Sequence, residues 1–166
     1  GLGGGHLSRV MSRVYPETVV DSVEIDKQVV KLAKQYFLYE ESPNCKTHVI
    51  DGRIFIQNQI GKATYDIVWL DAFKSGSVPF HLKTQQFYDE IREVLKPDGV
   101  VSSNLYGQSN KLKPHDWETF LNVFRNGYGF EDSRRIATAI LATDREPQWM
   151  TEDFLISARK IEGKFP

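Results

Sequence analysis

The residues best suited to chemistry are a glycine run and three acids placed along the chain. The chain opens "GLGGGHLSRV", with Gly1, Gly3 and Gly5 at alternate positions ahead of a helical pattern. Glycine lets the backbone adopt positive φ and come within contact of a ligand. A helix starting behind such a loop offers unpaired N–H groups and the positive end of its dipole. Phosphates and carboxylates both suit that environment, and a plain tight turn reads alike. Spacing narrows the choice. A dinucleotide loop would place its third glycine at position 6, which is His6, and a P-loop needs a Lys-Ser/Thr pair that the run lacks. The G-x-G-x-G spacing instead suits a mononucleoside whose other end carries an amine or an amino acid.

The acids come next. Glu24 lies at the carboxyl end of the β-branched strand candidate "TVVDSVEID" (Thr18 to Asp26), and doubly wound sheets bind ligands at the carboxyl ends of their strands. A carboxylate there can accept from both hydroxyls of a ribose. Asp21 and Asp26 are nearby rivals, although Asp26 also suits the N-cap of the following helix. Asp51-Gly52 follows the short strand "THVI". Its carboxylate can accept from an adenine amino group while Gly52 lets the base lie against the backbone, and an Asp-Gly pair is also an ordinary turn. Asp71 ends "IVWLDAF", where an acid leaving a buried apolar strand costs free energy unless it is paired or lines a cavity. In order at successive strand ends, these features describe an adenosine held by sugar and base with no diphosphate.

The elements that must position them follow from periodicity. "HLSRVMSRVY" has helical spacing up to Pro16, and "KQVVKLAKQYFL" carries Val29, Val30, Ala33 and Phe37 on one face. "RIFIQNQI" reads as a short helix, and "YDIVWLDAF" as a strand covered on both faces. "TQQFYDEIREVLK" is a helix stopped at Pro97-Asp98-Gly99, followed by the strand "VVSSNLY". "HDWETFLNVFRNGYGF" continues as a helix, and two strand candidates, "SRRIATAIL" and "DFLISARKI", finish the chain as an edge hairpin. The expected fold is α/β: a doubly wound, mainly parallel, Rossmann-like sheet with a C-terminal antiparallel hairpin, forming a single domain over residues 1–166. A buried strand ordinarily precedes such a glycine loop, so the first strand is expected upstream of Gly1, outside this sequence.

Composition narrows the class. A chain of 166 residues with 40% hydrophobic and 26% charged residues is that of an ordinary globular domain. The net charge of −1 gives no broad basic face, so nucleic acid is not indicated as a partner. One cysteine, Cys45, precludes an internal disulfide and fits a reducing, cytoplasmic setting. No apolar run approaches the roughly 18–20 residues that span a membrane. The four histidines are scattered, and no metal-ligand cluster is visible.

Together, "GLGGGHLSR", "VEID", "DG", "YDIVWLDAF" and "QQFYDEIREVLKPDGVVSSNL" resemble the spermidine synthase group of aminopropyltransferases. That group shares the fold of the class I S-adenosylmethionine-dependent methyltransferases, and the likeness covers roughly residues 1 to 105. It implies a transferase of polyamine biosynthesis using decarboxylated S-adenosylmethionine, or S-adenosylmethionine itself, without a metal, and working as a homodimer. By the same resemblance Gly1, Gly3 and Gly5 approach the sulfonium nucleoside, Glu24 holds the ribose and Ile25 packs on the adenine. Asp51 then contacts the adenine amino group, and Asp71 faces the reaction centre.

The departures are specific. Family members resemble "GGGDG", whose aspartate holds the donor amine; Gly4 stands at that place. A second aspartate that follows the one matching Asp71 is missing from "AFKSG", where Lys74 stands nearby. The tyrosine-glutamine pair that grips the substrate would lie upstream of Gly1. Aminopropyl transfer to an amine is the leading expectation. Methyl transfer from intact S-adenosylmethionine, its carboxylate approaching the loop N–H groups, keeps the same nucleoside site. A catalytically idle nucleoside-binding scaffold is a third possibility, with Phe73, Phe80 and Trp149 as exposed aromatics. The "KSGSVPFHL" segment, with His81, is a candidate lid.

Overall fold

The computed structural model describes residues 1–73, 78–106, 113–131 and 137–164. They form two compact units, one of residues 1–52 with 147–166 and the other of residues 53–146.

The first unit is a βαβ arrangement behind the glycine loop. Helix α1 (His6–Val14) leads to strand β1 (Val20–Glu24), helix α2 (Lys27–Tyr36) and strand β2 (Cys45–Val49). The two strands pair in parallel, with Val20 opposite Cys45 and Glu24 opposite Val49. Asp26 caps α2 as its sequence position suggests, its side chain accepting from the Gln28 N–H at 2.8 Å. The face of α2 that carries Val30 and Ala33 is buried, and it joins Leu2, Tyr39 and Cys45 in the core of this unit. On α1 the buried contact is polar, with Ser8 Oγ 2.7 Å from Ser22 Oγ of β1.

The second unit follows helix α3 (Gly52–Gln59) with strand β3 (Tyr65–Leu70), a 3-10 turn (Phe80–Leu82), helix α4 (Gln85–Val94) and strand β4 (Leu95–Tyr106). Helix α5 (Lys113–Val123), strand β5 (Asn126–Glu131) and strand β6 (Ala137–Thr143) complete it. The sheet order is β3-β4-β6-β5; β3 and β4 are parallel, and β6 is antiparallel to both of its neighbours. Ile91 and Val94 of α4 and Phe120 of α5 are fully buried. Tyr88 stacks on Phe120 with ring centroids 4.1 Å apart. Burying each such side chain stabilises the fold by about 1.5–3 kcal/mol.

Four expectations change. Segment 153–161 is not a strand but most of helix α6 (Thr151–Ile161), so the last two candidates do not form a hairpin. Its charges fit the helix dipole, with Glu152 and Asp153 in the first turn and Arg159 and Lys160 in the last. Asp153 also accepts from the Met150 N–H at 2.7 Å. Second, the helix starting near His115 ends at Val123, and "NGYGFE" is β5, which pairs with β6. Gly127 has a packing reason there, because a Cβ at that position would stand 2.7 Å from Leu121 Cδ2 of α5. Third, β3 is not covered on both faces: Ile67 and Trp69 are exposed, as an end strand of its sheet allows. Fourth, α4 ends at Val94, and the Lys96–Gly99 stretch falls in a register shift of β4, since Tyr65 pairs with Leu95 while Ile67 pairs with Val100.

Among the described residues, no helix is long and apolar enough to cross a membrane.

Candidate functional site

The glycine loop closes as a turn, the Gly5 N–H bonding the Leu2 carbonyl at 2.9 Å. Gly3 and Gly5 have φ of +53° and +72°, a region that disfavours any side chain. The two residues differ in surroundings. A Cβ at Gly3 would meet nothing within 4 Å, so that side of the loop is open. A Cβ at Gly5 would lie 2.4 Å from Tyr39 Cδ2, and one at Gly4 3.0 Å from Phe37 Cδ1. The loop therefore has one face pressed on aromatic rings and one face clear. Gly5 is the N-cap of α1; it has no side chain to accept from the first turn, which carries no acid.

Glu24 is the acid that meets this loop. Its Oε2 accepts from the Leu2 N–H and its Oε1 from the Asp26 N–H, each at 3.0 Å. A carboxylate has about four acceptor positions, so two main-chain donors leave capacity for two hydroxyls. The rival acids are engaged elsewhere: Asp21 Oδ1 lies 2.7 Å from His48 Nε2, and Asp26 caps α2. Beside Glu24, Ile25 is 68% exposed and free of the core. The Ile50 N–H donates to the Glu24 carbonyl at 3.1 Å, which ties the end of β1 to the segment that leads through Asp51 into α3 at Gly52. Gly1, Gly3, Gly5, Glu24, Ile25, Asp51 and Gly52 all belong to the first unit, on the glycine loop, just past or at the ends of β1 and β2, and at the start of α3.

Asp71 belongs to the second unit, just past the end of β3, where it is exposed. Asn104 of β4 donates from Nδ2 to Asp71 Oδ1 at 3.5 Å. Nothing in "SSNLY" singles Asn104 out; only the parallel register of β3 and β4 brings it there. Lys74 and the first part of the candidate lid lie outside the described residues. The later part is the 3-10 turn, in which Leu82 is buried and Phe80 is 82% exposed. Arg53 Nη1 donates to the His81 carbonyl at 3.5 Å, while its Nε and Nη2 donate to Glu90 at 2.8 and 2.7 Å. These bonds from Arg53, together with one from Gln57, hold the Glu90 carboxyl below its usual value. Of the other aromatics, Phe73 is 41% exposed and Trp149 packs edge-on against Phe154 of α6.

The pattern described as "Spermine/spermidine synthase domain" matches residues 1–149. This chain belongs to that family. Over 148 residues it is 35% identical to the polyamine aminopropyltransferase of Vibrio vulnificus, covering 86% of this chain and 49% of that protein. The chain therefore spans about half the length of that relative. Among solved structures, human methyltransferase-like protein 13 in complex with SAH superposes with a TM-score of 0.90 at 25% identity, covering 99% of this chain and 78% of that one. A probable spermidine synthase from Corynebacterium glutamicum gives a TM-score of 0.79 at 22% identity, covering 100% and 62%. The fold of this spermine/spermidine synthase family member is accordingly the Rossmann-like α/β fold of class I methyltransferases.

Proposed function

We propose that this chain is a nucleoside-binding transferase domain that takes an S-adenosyl sulfonium donor and passes an aminopropyl group to an amine. The observation that carries this reading is the bond from the Leu2 N–H to Glu24, which joins the glycine loop to the acid at the end of β1. The open side of Gly3 leaves room for a ligand chain, and the uncapped first turn of α1 suits its charged end. In this arrangement Glu24 accepts from the ribose hydroxyls. Ile25 covers the adenine, and Asp51 with Gly52 meets its edge. Family membership and the similarity to a protein named polyamine aminopropyltransferase support the aminopropyl group.

The acceptor amine, with a pKa of about 10.4 if it resembles lysine, arrives protonated at neutral pH. Asp71 orients it and takes its proton. The freed nitrogen pair forms a bond to the carbon beside sulfur as the carbon–sulfur bond breaks, and that electron pair stays on sulfur as a neutral thioether.

One observation favours a second reading, methyl transfer from the intact donor. Gly4 carries no carboxylate, and Phe37 occupies the space into which a side chain there would project. The similar human methyltransferase-like protein was solved with SAH.

Calorimetry on the complete natural protein separates the two. Tighter binding of decarboxylated S-adenosylmethionine supports aminopropyl transfer, whereas tighter binding of the intact donor supports methyl transfer. Binding of neither overturns both and leaves a scaffold.

A further inference from the structure

We infer that the Phe37-Leu38-Tyr39 turn is the template that sets the path of the glycine loop, with Phe37 and Tyr39 acting as positioning residues for the sulfur end of the donor. The inference rests on the adenosyl-donor reading above. It adds two residues that the glycine motif does not contain.

Three observations meet at this turn. The rings of Phe37 and Tyr39 stand where side chains at the consecutive loop residues Gly4 and Gly5 would go, 3.0 and 2.4 Å from the ideal Cβ positions. Second, Leu38, between them, has φ of +55° and is the single non-glycine residue with positive φ among the described residues. Its side chain is 78% exposed, so its own packing does not offset the strain. Third, the turn is anchored on both sides. Arg9 Nη1, from the helix that the loop opens, donates to the Phe37 carbonyl at 2.6 Å. The Phe37 and Tyr39 N–H groups both bond the Ala33 carbonyl at the end of α2, at 3.0 and 3.2 Å. The Tyr39 hydroxyl lies 2.7 Å from Thr47 Oγ1 of β2.

These contacts give the strained residue a reason. With Phe37 and Tyr39 one residue on either side of Leu38, the left-handed step lets both rings reach the underside of the loop. Tyr39 is 1% exposed and cannot shift without disturbing its hydroxyl partners. The loop is thereby held from below while the Gly3 side stays open. Main-chain N–H groups held this way need no reordering when a ligand arrives, and preorganisation of that kind raises affinity. The effect falls on the part of the donor nearest the loop. It does not fall on the ribose and adenine, which Glu24 and Asp51 address.

The test is calorimetry on the complete natural protein with two probes, S-adenosylhomocysteine and adenosine. Tyr39→Leu is expected to weaken S-adenosylhomocysteine about tenfold or more while adenosine changes by less than about twofold. Tyr39→Phe, which keeps the ring under Gly5, is expected to restore most of the difference. Phe37→Ala is the second variant, at a position 56% exposed and so compatible with folding, and should show the same selective loss to a smaller degree. Equal weakening of both probes, or no weakening in either variant, would overturn the template while leaving the donor reading intact. Wild-type protein that binds neither probe would remove the donor reading itself, and the template with it.

Discussion

The carboxylate of Glu24 receives the Leu2 main-chain N–H at 3.0 Å, across 22 residues of sequence. One acid at the end of β1 therefore both faces the candidate ribose position and fastens the loop beside it. Its other oxygen accepts from the Asp26 N–H at 3.0 Å, which fixes the rotamer. In the proposed reading, the side chain that meets the ribose also fastens the start of the loop, at Leu2.

That coupling predicts an outsized effect of Glu24→Ala. The variant loses the proposed ribose acceptor and leaves the Leu2 N–H without its carboxylate. Hydrogen bonds to charged groups contribute about 1.5–3 kcal/mol each, so donor affinity should fall by roughly 10–100-fold. Isothermal calorimetry with S-adenosylhomocysteine measures it. An unchanged dissociation constant would mean that the ribose is held elsewhere.

Asp71 should behave differently. With its carboxylate exposed and Asn104 of β4 donating to it, Asp71 has its proposed role in the chemical step. Asp71→Asn is expected to leave donor binding nearly unchanged and to lower turnover by about 10²–10⁴, the scale of a lost general base. Turnover at the wild-type rate would take Asp71 out of the mechanism.

The Arg53–Glu90 pair predicts an acid-side loss of stability. Because the Glu90 carboxyl is held below its ordinary value of 4.5, its contribution is present in full above that value. It is lost as pH falls through the lower folded value. Urea unfolding across about pH 3 to 7 should show the stability gap between wild type and Glu90→Gln constant above about pH 5 and narrowing below it. A gap independent of pH would show that the pair does not stabilise through its charge.

Lys83 and Asp116 form an ion pair at 2.8 Å whose side chains are 15% and 9% exposed. Removing Asp116 takes the ion-pair partner from the largely buried Lys83 ammonium, which costs about 3–5 kcal/mol. Asp116→Ala should therefore lower the thermal midpoint markedly. Replacing both residues, as in Lys83→Met with Asp116→Leu, should recover much of the loss. A double variant no more stable than the single one would contradict this account.

Much of the candidate site is written in local sequence. The glycine run, the acids at positions 24, 51 and 71, and the alternation of strands with helices are local patterns, each specified within a few residues. The N-cap at Asp26 is of the same kind, since its bond reaches only to residue 28. The last segment was less legible. The apolar residues of "DFLISARKI" admit a strand, while the acid-first, base-last charge order that marks α6 is a weaker signal. Strand β5 was hidden because Asn126 and Gly127 follow a strong helical run, and the reason for Gly127 is a contact with Leu121 of α5.

By itself, then, the sequence determined which residue types stand at the strand ends and which backbone positions lack side chains. Tertiary structure decided their partners: Glu24 rather than Asp21 or Asp26 against the loop, Asn104 beside Asp71, and Phe37 and Tyr39 beneath Gly4 and Gly5. The physical reason is range. Side-chain period and capping are settled by neighbours along the chain, whereas a hydrogen bond across 22 residues or a ring under a glycine depends on strand register and on how a turn is anchored.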